Sequence, residues 1–337
     1  MQKIKWAVIG AGGIADRRTI PALLQDESNE LVAIMEKVEP LAQKIGEKYN
    51  VPFYTDEEEM LKAVECDAVY IATPVFLHYD QAMLCLKYGK NVFIEKPIAL
   101  SYEQGKKILD AFKKEKKLLF VGYMMKYHNL HQKVRSLILN DKVGQVSNVR
   151  MQFSCWYPEI PGAWRQNKKL GGGGAVMDLG VHCLELAEYI LKDEIIDVKA
   201  YYATRTFKYE VDDSAVILFK TNQGVIGHID VNFNVPDAAS ISKLEVYGTK
   251  GYAICNNTLS QEETGKLSYL YAPQGDYEAM QERKIEKPKT YKGRGGNIYL
   301  KQLQAFCKLL KNGKLNYTYA KKAVHIQDLV ERIYSEN

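Results

Sequence analysis

Residues 171–182 read G-G-G-G-A-V-M-D-L-G-V-H and set a carboxylate, Asp178, four residues before an imidazole, His182. If the segment is helical, the two side chains share one face. A carboxylate that orients and polarises a histidine makes it an acid–base group able to take or return a hydroxyl proton. Redox chemistry at a carbinol carbon also needs a hydride acceptor. Residues 10–15, Gly-Ala-Gly-Gly-Ile-Ala, offer a place to bind one.

Up to residue 122, short apolar runs alternate with amphipathic ones. Strands are expected at 4–9, 31–35, 68–73, 91–95 and 118–122, and helices at 14–25, 57–64, 78–88 and 102–116. Strict alternation of this kind predicts a parallel sheet covered on both faces. After 123 the segments 146–156, 197–207, 214–221, 225–234, 242–247 and 251–256 are strand-like with turn signals between neighbours, which predicts a largely antiparallel sheet. A helix near 176–191 would cover one face of it. Residues 261–296 read as a long loop or hairpin, and 297–334 return to helical period. The expected fold class is α/β: an N-terminal doubly wound Rossmann domain, 1–123, and a C-terminal α/β domain with an open sheet, 124–337.

The glycine run follows a strand and opens a helix, matching G-x-G-x-x-G/A through Gly10, Gly12, Gly13, Ile14 and Ala15. The first glycine allows the tight turn, the second lets a pyrophosphate approach the backbone, and the small last residue lets helix and strand pack closely. The helix start then presents free N–H groups to phosphate. Glu36, at the end of the second strand, stands where a carboxylate binds the adenosine ribose hydroxyls. An ordinary glycine turn with a surface glutamate is the alternative. Glu36 favours NAD because a carboxylate repels a 2′-phosphate, whereas Lys37, Arg17 and Arg18 would admit NADP. Ligands of a doubly wound sheet sit outside the carboxyl ends of its strands. Thr73 and Pro74, with His78 in the next helix start, and then Glu95, Lys96 and Pro97 are therefore expected to border the cofactor.

At 337 residues the chain exceeds what one core organises, so two domains are expected. A net charge of +5 is too small at this length to imply nucleic acid. The basic run 113–117 follows Ile108, Leu109 and Phe112 at helical spacing and reads as a solvated helix face, with an anionic partner as the alternative. Six cysteines without a C-x-x-C pair argue for reduced thiols and a cytoplasmic location. The first ten residues read as a strand, not a signal peptide, and no apolar run is long enough for a membrane helix.

The chain resembles the Gfo/Idh/MocA oxidoreductases, the family of glucose-fructose oxidoreductase and inositol dehydrogenase. The residues that carry the likeness are the N-terminal glycine turn, A-T-P-x-x-x-H at 72–78, G-K-x-V-F-I-E-K-P at 89–97, W-R at Trp164-Arg165 and G-G-G-A-x-x-D-x-G-x-H at 172–182. The resemblance implies a catalytic group of Lys96, Asp178 and His182, a cis peptide before Pro97, and an open C-terminal sheet of the kind that often mediates oligomerisation, here a homodimer or homotetramer. One departure is Lys126, where an arginine is common in the family.

The residues themselves suit these roles. His182 would take the hydroxyl proton, Asp178 would orient it, and Lys96 would hold the substrate oxygen and stabilise developing alkoxide. Trp164 and Arg165 are candidates for the substrate pocket, Arg165 being equally suited to a structural ion pair. Glu185 adds a carboxylate to the Asp178–His182 face, but no second histidine stands at matching spacing, and no metal is assigned. Tyr157, Asn297 and Tyr299 read as structural. The expected activity is NAD(P)-dependent hydride transfer at a carbinol or carbonyl carbon of a sugar, sugar derivative or cyclitol. The alternatives are an NAD-dependent glycoside hydrolase working by oxidation and elimination, and a non-catalytic dinucleotide-binding protein.

Overall fold

The computed structural model of the chain describes residues 3–273, 275 and 286–335. The chain forms two compact units. One consists of the segment ending at Tyr123 together with Asn167–Gly172 and Tyr299–Glu331, the other of Met124–Gln166, Gly173–Ile298 and the residues after Glu331.

In the first unit β1 (Ile4–Ile9), β2 (Asn29–Met35), β3 (Phe53–Tyr54), β4 (Ala68–Ile71), β5 (Asn91–Glu95) and β6 (Leu119–Gly122) pair in parallel. Their order is β3-β2-β1-β4-β5-β6. That order reverses direction between β1 and β4, the switch point where such sheets bind ligands. β4 and β6 are buried at every position, as strands covered on both faces must be. The accompanying helices are α1 (Ile20–Leu24), α2 (Glu39–Tyr49), α3 (Glu57–Ala63), α4 (His78–Lys87) and α5 (Tyr102–Lys114). Asp56 starts α3 by accepting the N–H groups of Glu58 and Glu59, and Ser101 starts α5 by accepting that of Gln104. The helix expected at 14–25 instead opens as a wide π-helical turn, Ala15–Thr19, before α1.

The second unit holds α6 (Asn129–Leu139), β7 (Val146–Ser154), α8 (Val181–Leu191), β8 (Ile195–Ala203), β9 (Ser214–Thr221), β10 (Ile226–Asn232), β11 (Lys243–Gly248), β12 (Gly251–Asn256), β13 (Lys266–Tyr271) and β14 (Lys289–Lys292). The short α7 (Lys168–Gly171) belongs to the first unit. The eight strands run β14-β13-β12-β11-β7-β10-β9-β8, antiparallel except for the parallel pair β7–β10. β9 alternates strictly, with Ala215, Ile217, Phe219 and Thr221 inward and Val216, Leu218 and Lys220 outward, the signature of a sheet with one covered face. In α8 every residue but Tyr189 is buried. β13 and β14 form a hairpin within the stretch expected as loop or hairpin; residues 274 and 276–285 of that stretch lie outside the described ones.

The units depart from the contiguous segments 1–123 and 124–337. α9 (Ile298–Lys311) from Tyr299 onward, and α10 (Thr318–Ser335) as far as Glu331, pack with the first unit. Phe306 lies 4.9 Å from Trp6, 5.8 Å from Phe93 and 5.9 Å from Phe120 between ring centroids, and Tyr319 lies 4.2 Å from Phe120. Gln327 donates to the Leu100 carbonyl at 3.1 Å. The helical period shows that these segments have an apolar face; it carries no information on which sheet that face covers. Phe306 is fully buried, so Phe306→Ala is expected to lower stability by about 3 to 5 kcal/mol in urea unfolding. A loss below about 1 kcal/mol would mean that α9 contributes no core to the first unit.

Candidate active site

The glycine turn after β1 is pinned to the end of β2. The Gly10 and Ala11 N–H groups both donate to the Met35 carbonyl, at 2.9 and 3.0 Å. Gly10 has φ +79°, and a Cβ there would stand 2.7 Å from Thr73 Cγ2, so only glycine fits. Gly13, at φ +56°, would meet no atom within 4 Å. That open space over bare backbone fits a pyrophosphate drawn against the helix start. Glu36 accepts the Gly12 N–H at 3.0 Å, which fixes its carboxylate beside the turn, where ribose hydroxyls would meet it. Ala15 is fully buried, Ile14 is half-buried, and Lys37 is exposed. These residues fit a nicotinamide dinucleotide.

The ends of β4 and β5 are tied together. Half-buried Thr73 donates to Gln81 at 2.5 Å, and Pro74 beside it is also half-buried. His78 is turned inward, 1% exposed. Its ring nitrogens lie 2.8 Å from the Pro97 carbonyl and 3.0 Å from that of Thr73. Burial lowers its pKa to about 4, so the ring is neutral near pH 7. A neutral imidazole carries a single N–H, so the ring donates to one of these two carbonyls while filling the space between the Thr73 and Pro97 loops. The Lys96–Pro97 peptide is cis. Glu95 accepts a 2.6 Å hydrogen bond from Tyr70, whose hydroxyl also lies 2.9 Å from that of Thr19. Burial, then the Glu95 carboxylate, push the Tyr70 phenol well above its usual range. Burial and the same carboxylate raise Tyr299.

In the second unit the glycine run is clamped by Asp212. Its carboxylate accepts the Gly174 N–H at 2.8 Å and the Val176 N–H at 2.9 Å, and its carbonyl accepts that of Ala175 at 2.9 Å. Tyr334 donates to the same carboxylate at 2.6 Å. A Cβ on Gly174 would stand 1.9 Å from the Asp212 carbonyl oxygen, and one on Gly173 would stand 2.1 Å from the Tyr334 hydroxyl. The glycines are required by this close approach. The clamped backbone then enters a second π-helical turn, Val176–Gly180, before α8. Asp178 lies in that turn and His182 in the first turn of α8. Arg165 Nε is 3.6 Å from Asp178 Oδ1, and its guanidinium sits 4.4 Å from the Trp164 ring centroid. The ion pair that the sequence allowed for Arg165 is therefore present, with Asp178 as its partner.

Glu185, one turn beyond His182, is ion-paired to Lys126 at 2.5 Å, with side chains 3% and 9% exposed. Lys126 thus neutralises a buried carboxylate three residues beyond His182 in sequence, and removing it alone would leave that charge uncompensated. Among the described residues no group of three or more His, Cys, Asp or Glu is placed to hold a metal. Of the other singled-out residues, Tyr157 packs on Phe233 at 5.0 Å, consistent with a structural part. Lys96 belongs to the first unit; Asp178, His182, Trp164 and Arg165 belong to the second. The sequence reasoning missed Asp212 and Tyr334. The only local signal was the doubled Asp212-Asp213 before a strand.

Residues 4–123 match the profile of an oxidoreductase family with an NAD-binding Rossmann fold, and residues 131–254 match the C-terminal domain of the same family. The chain belongs to the GFO/IDH/MocA oxidoreductases. Among curated relatives, D-glucoside 3-dehydrogenase of Escherichia coli (strain K12) is 26% identical over 354 residues, covering 98% of this chain and 94% of the relative. The 1,5-anhydro-D-fructose reductase of Ensifer adhaerens is 26% identical over 269 residues, covering 78% and 79%. The crystal structure of the aldose-aldose oxidoreductase from Caulobacter crescentus superposes with a TM-score of 0.86 at 22% identity, covering 99% of this chain and 97% of that one. This GFO/IDH/MocA chain is therefore an oxidoreductase with a nicotinamide-dinucleotide-binding unit.

For this family member the position of Glu36 generates a test of cofactor choice. Glu36→Ala is expected to weaken NAD and relieve repulsion of NADP, moving the ratio of kcat/KM toward NADP about tenfold or more, equivalent to about 1.4 kcal/mol. Steady-state kinetics with both cofactors measure it. An unchanged ratio would mean that Glu36 does not read the ribose.

Proposed function

We propose that the protein transfers a hydride between NAD and a CH–OH or C=O carbon of a sugar, sugar derivative or cyclitol. The observation that carries this reading is the Asp178–His182 arrangement: a carboxylate in a clamped π-helical turn and an imidazole four residues on, at the start of a buried helix. The names of the curated relatives, a glucoside dehydrogenase and an anhydrofructose reductase, support the substrate class. NAD is preferred because Glu36 already stands at the turn.

When bound, the dinucleotide supplies the hydride acceptor or donor. The glycine turn holds its phosphates, and Glu36 its ribose. Thr73, Pro74, Glu95 and Pro97 shape the strand ends around it. Lys96 donates a hydrogen bond to the reacting oxygen and stabilises its negative charge. His182 removes the hydroxyl proton in oxidation and returns it in reduction. Asp178 stabilises the imidazolium that results, and Arg165, 3.6 Å away, orients Asp178. Trp164 and Arg165 line the substrate side.

We also assign the protein to the cytoplasm as a homodimer or homotetramer. All six cysteines are free thiols, and no helix among the described residues is long and apolar enough to cross a membrane. The outward face of the second sheet supports self-association, since Val216, Leu218, Ile226 and Tyr201 are 48%, 53%, 56% and 86% exposed.

Lys96→Met is expected to leave folding and NAD binding intact while lowering kcat by about two to four orders of magnitude; wild-type turnover would remove Lys96 from the reaction. In oxidation His182 must be neutral, so kcat/KM should rise with pH through one ionisation. Asp178→Asn removes a charge that favours the imidazolium, so the limb should move to lower pH. His182→Asn should abolish it. A limb that persists unchanged in an active His182→Asn protein would assign the base elsewhere. Release of an aglycone without any change at the reduced-nicotinamide absorbance band would replace dehydrogenation with hydrolysis.

A further inference from the structure

A groove of about 400 Å³ in the second unit, between α6 and the β14 edge, is lined by Lys133, Lys292, Arg294, Tyr291, Leu130 and Gln132, with Asn129 at its end. Three of these side chains are cations. Among the described residues no carboxylate lies within 4.0 Å of any of them. Some surface cations of this chain are paired, as Lys48 is with Asp16, Lys87 with Glu58 and Arg332 with Asp197. Glu263, the carboxylate adjoining the groove, accepts the Asn129 N–H at 2.6 Å and the Gly296 N–H at 2.8 Å. It is thus engaged with the backbone that carries the groove.

Like charges in a concavity repel one another, and low-dielectric walls focus their field. An anion bound in the groove would relieve that repulsion. The wall chemistry is also specific. Arg294 can offer a planar fork of donors and two lysines can offer point charges, while Gln132 and Asn129 add neutral amides. Leu130 and the Tyr291 ring, with Lys133 Nζ 5.3 Å from its centroid, give an apolar side. The helix start itself is not the binding element, because the Leu130 N–H is already accepted by the ring of His128 at 3.1 Å.

We propose that this groove is an oxyanion-binding site, taking the phosphate or carboxylate group of a small molecule whose body rests on Leu130 and Tyr291. The site uses none of the residues assigned to hydride transfer and stands whether or not that assignment holds. The test is calorimetric titration of the full chain, saturated with NAD, with inorganic phosphate and separately with citrate, at an ionic strength held constant with KCl. Saturable binding of one anion per chain is expected, weakened at least tenfold by Arg294→Ala and by Lys133→Ala, with NAD affinity unchanged in both. Arg294 is exposed and Lys133 half-buried, and matching circular dichroism and NAD binding establish that the variants are folded. Binding of phosphate alone identifies a phosphoryl ligand, and binding of citrate alone a carboxylate ligand. Absence of saturable binding by either probe, or binding that both folded variants retain undiminished, overturns the proposal.

Discussion

The Asp212 carboxylate is the constraint on which the backbone path into the Asp178–His182 segment rests. Its two oxygens take the N–H groups of Gly174 and Val176, and its own carbonyl takes that of Ala175. Three consecutive peptide units are therefore fixed before the helix begins. A buried carboxylate is costly unless its lone pairs are satisfied, and here the backbone and Tyr334 satisfy them. Because the clamp sets the backbone path into the π-helical turn, it also sets where Asp178 can reach, and Arg165 then meets Asp178 from the preceding segment.

The first unit solves a similar problem with different atoms. A carbonyl, that of Met35, gathers two N–H groups of the glycine turn, and the Glu36 carboxylate next to it takes the Gly12 N–H. In both places a glycine stands where a Cβ would collide with the opposing chain, and a π-helical turn follows. Such wide turns are uncommon and recur at functional sites.

Several buried polar groups of both units have partners of their own. The His78 ring is buried and neutral, and its one N–H is accepted by one of the two backbone carbonyls beside it. His131 on α6 lies 2.8 Å from the Met125 carbonyl and 2.9 Å from the Thr258 hydroxyl, with its pKa lowered to about 3 by burial. Lys126 and Glu185 are buried as an ion pair. A missing partner in any of these would leave a desolvated polar group, which is a larger penalty than the bond itself is worth.

The sequence by itself determined the alternation that makes a parallel sheet, the glycine turn with its carboxylate, and the helix carrying Asp178 and His182. Each of these is a local pattern, written within one element and its neighbour by strand period, helix period or turn chemistry. α2 and β3 escaped because β3 spans two residues and α2 buries only Ala42, Ile45 and Gly46 among charged neighbours, too narrow a stripe to stand out. Only the tertiary structure decided that Asp212 reaches Gly174 across 38 residues, that His78 faces inward, that Arg165 pairs with Asp178, and that α9 and α10 pack with the first unit. The physical reason is the same in each case. A hydrogen bond or packed face between distant segments leaves no periodic trace in either one, because the period reports which side of an element avoids water and not what covers it.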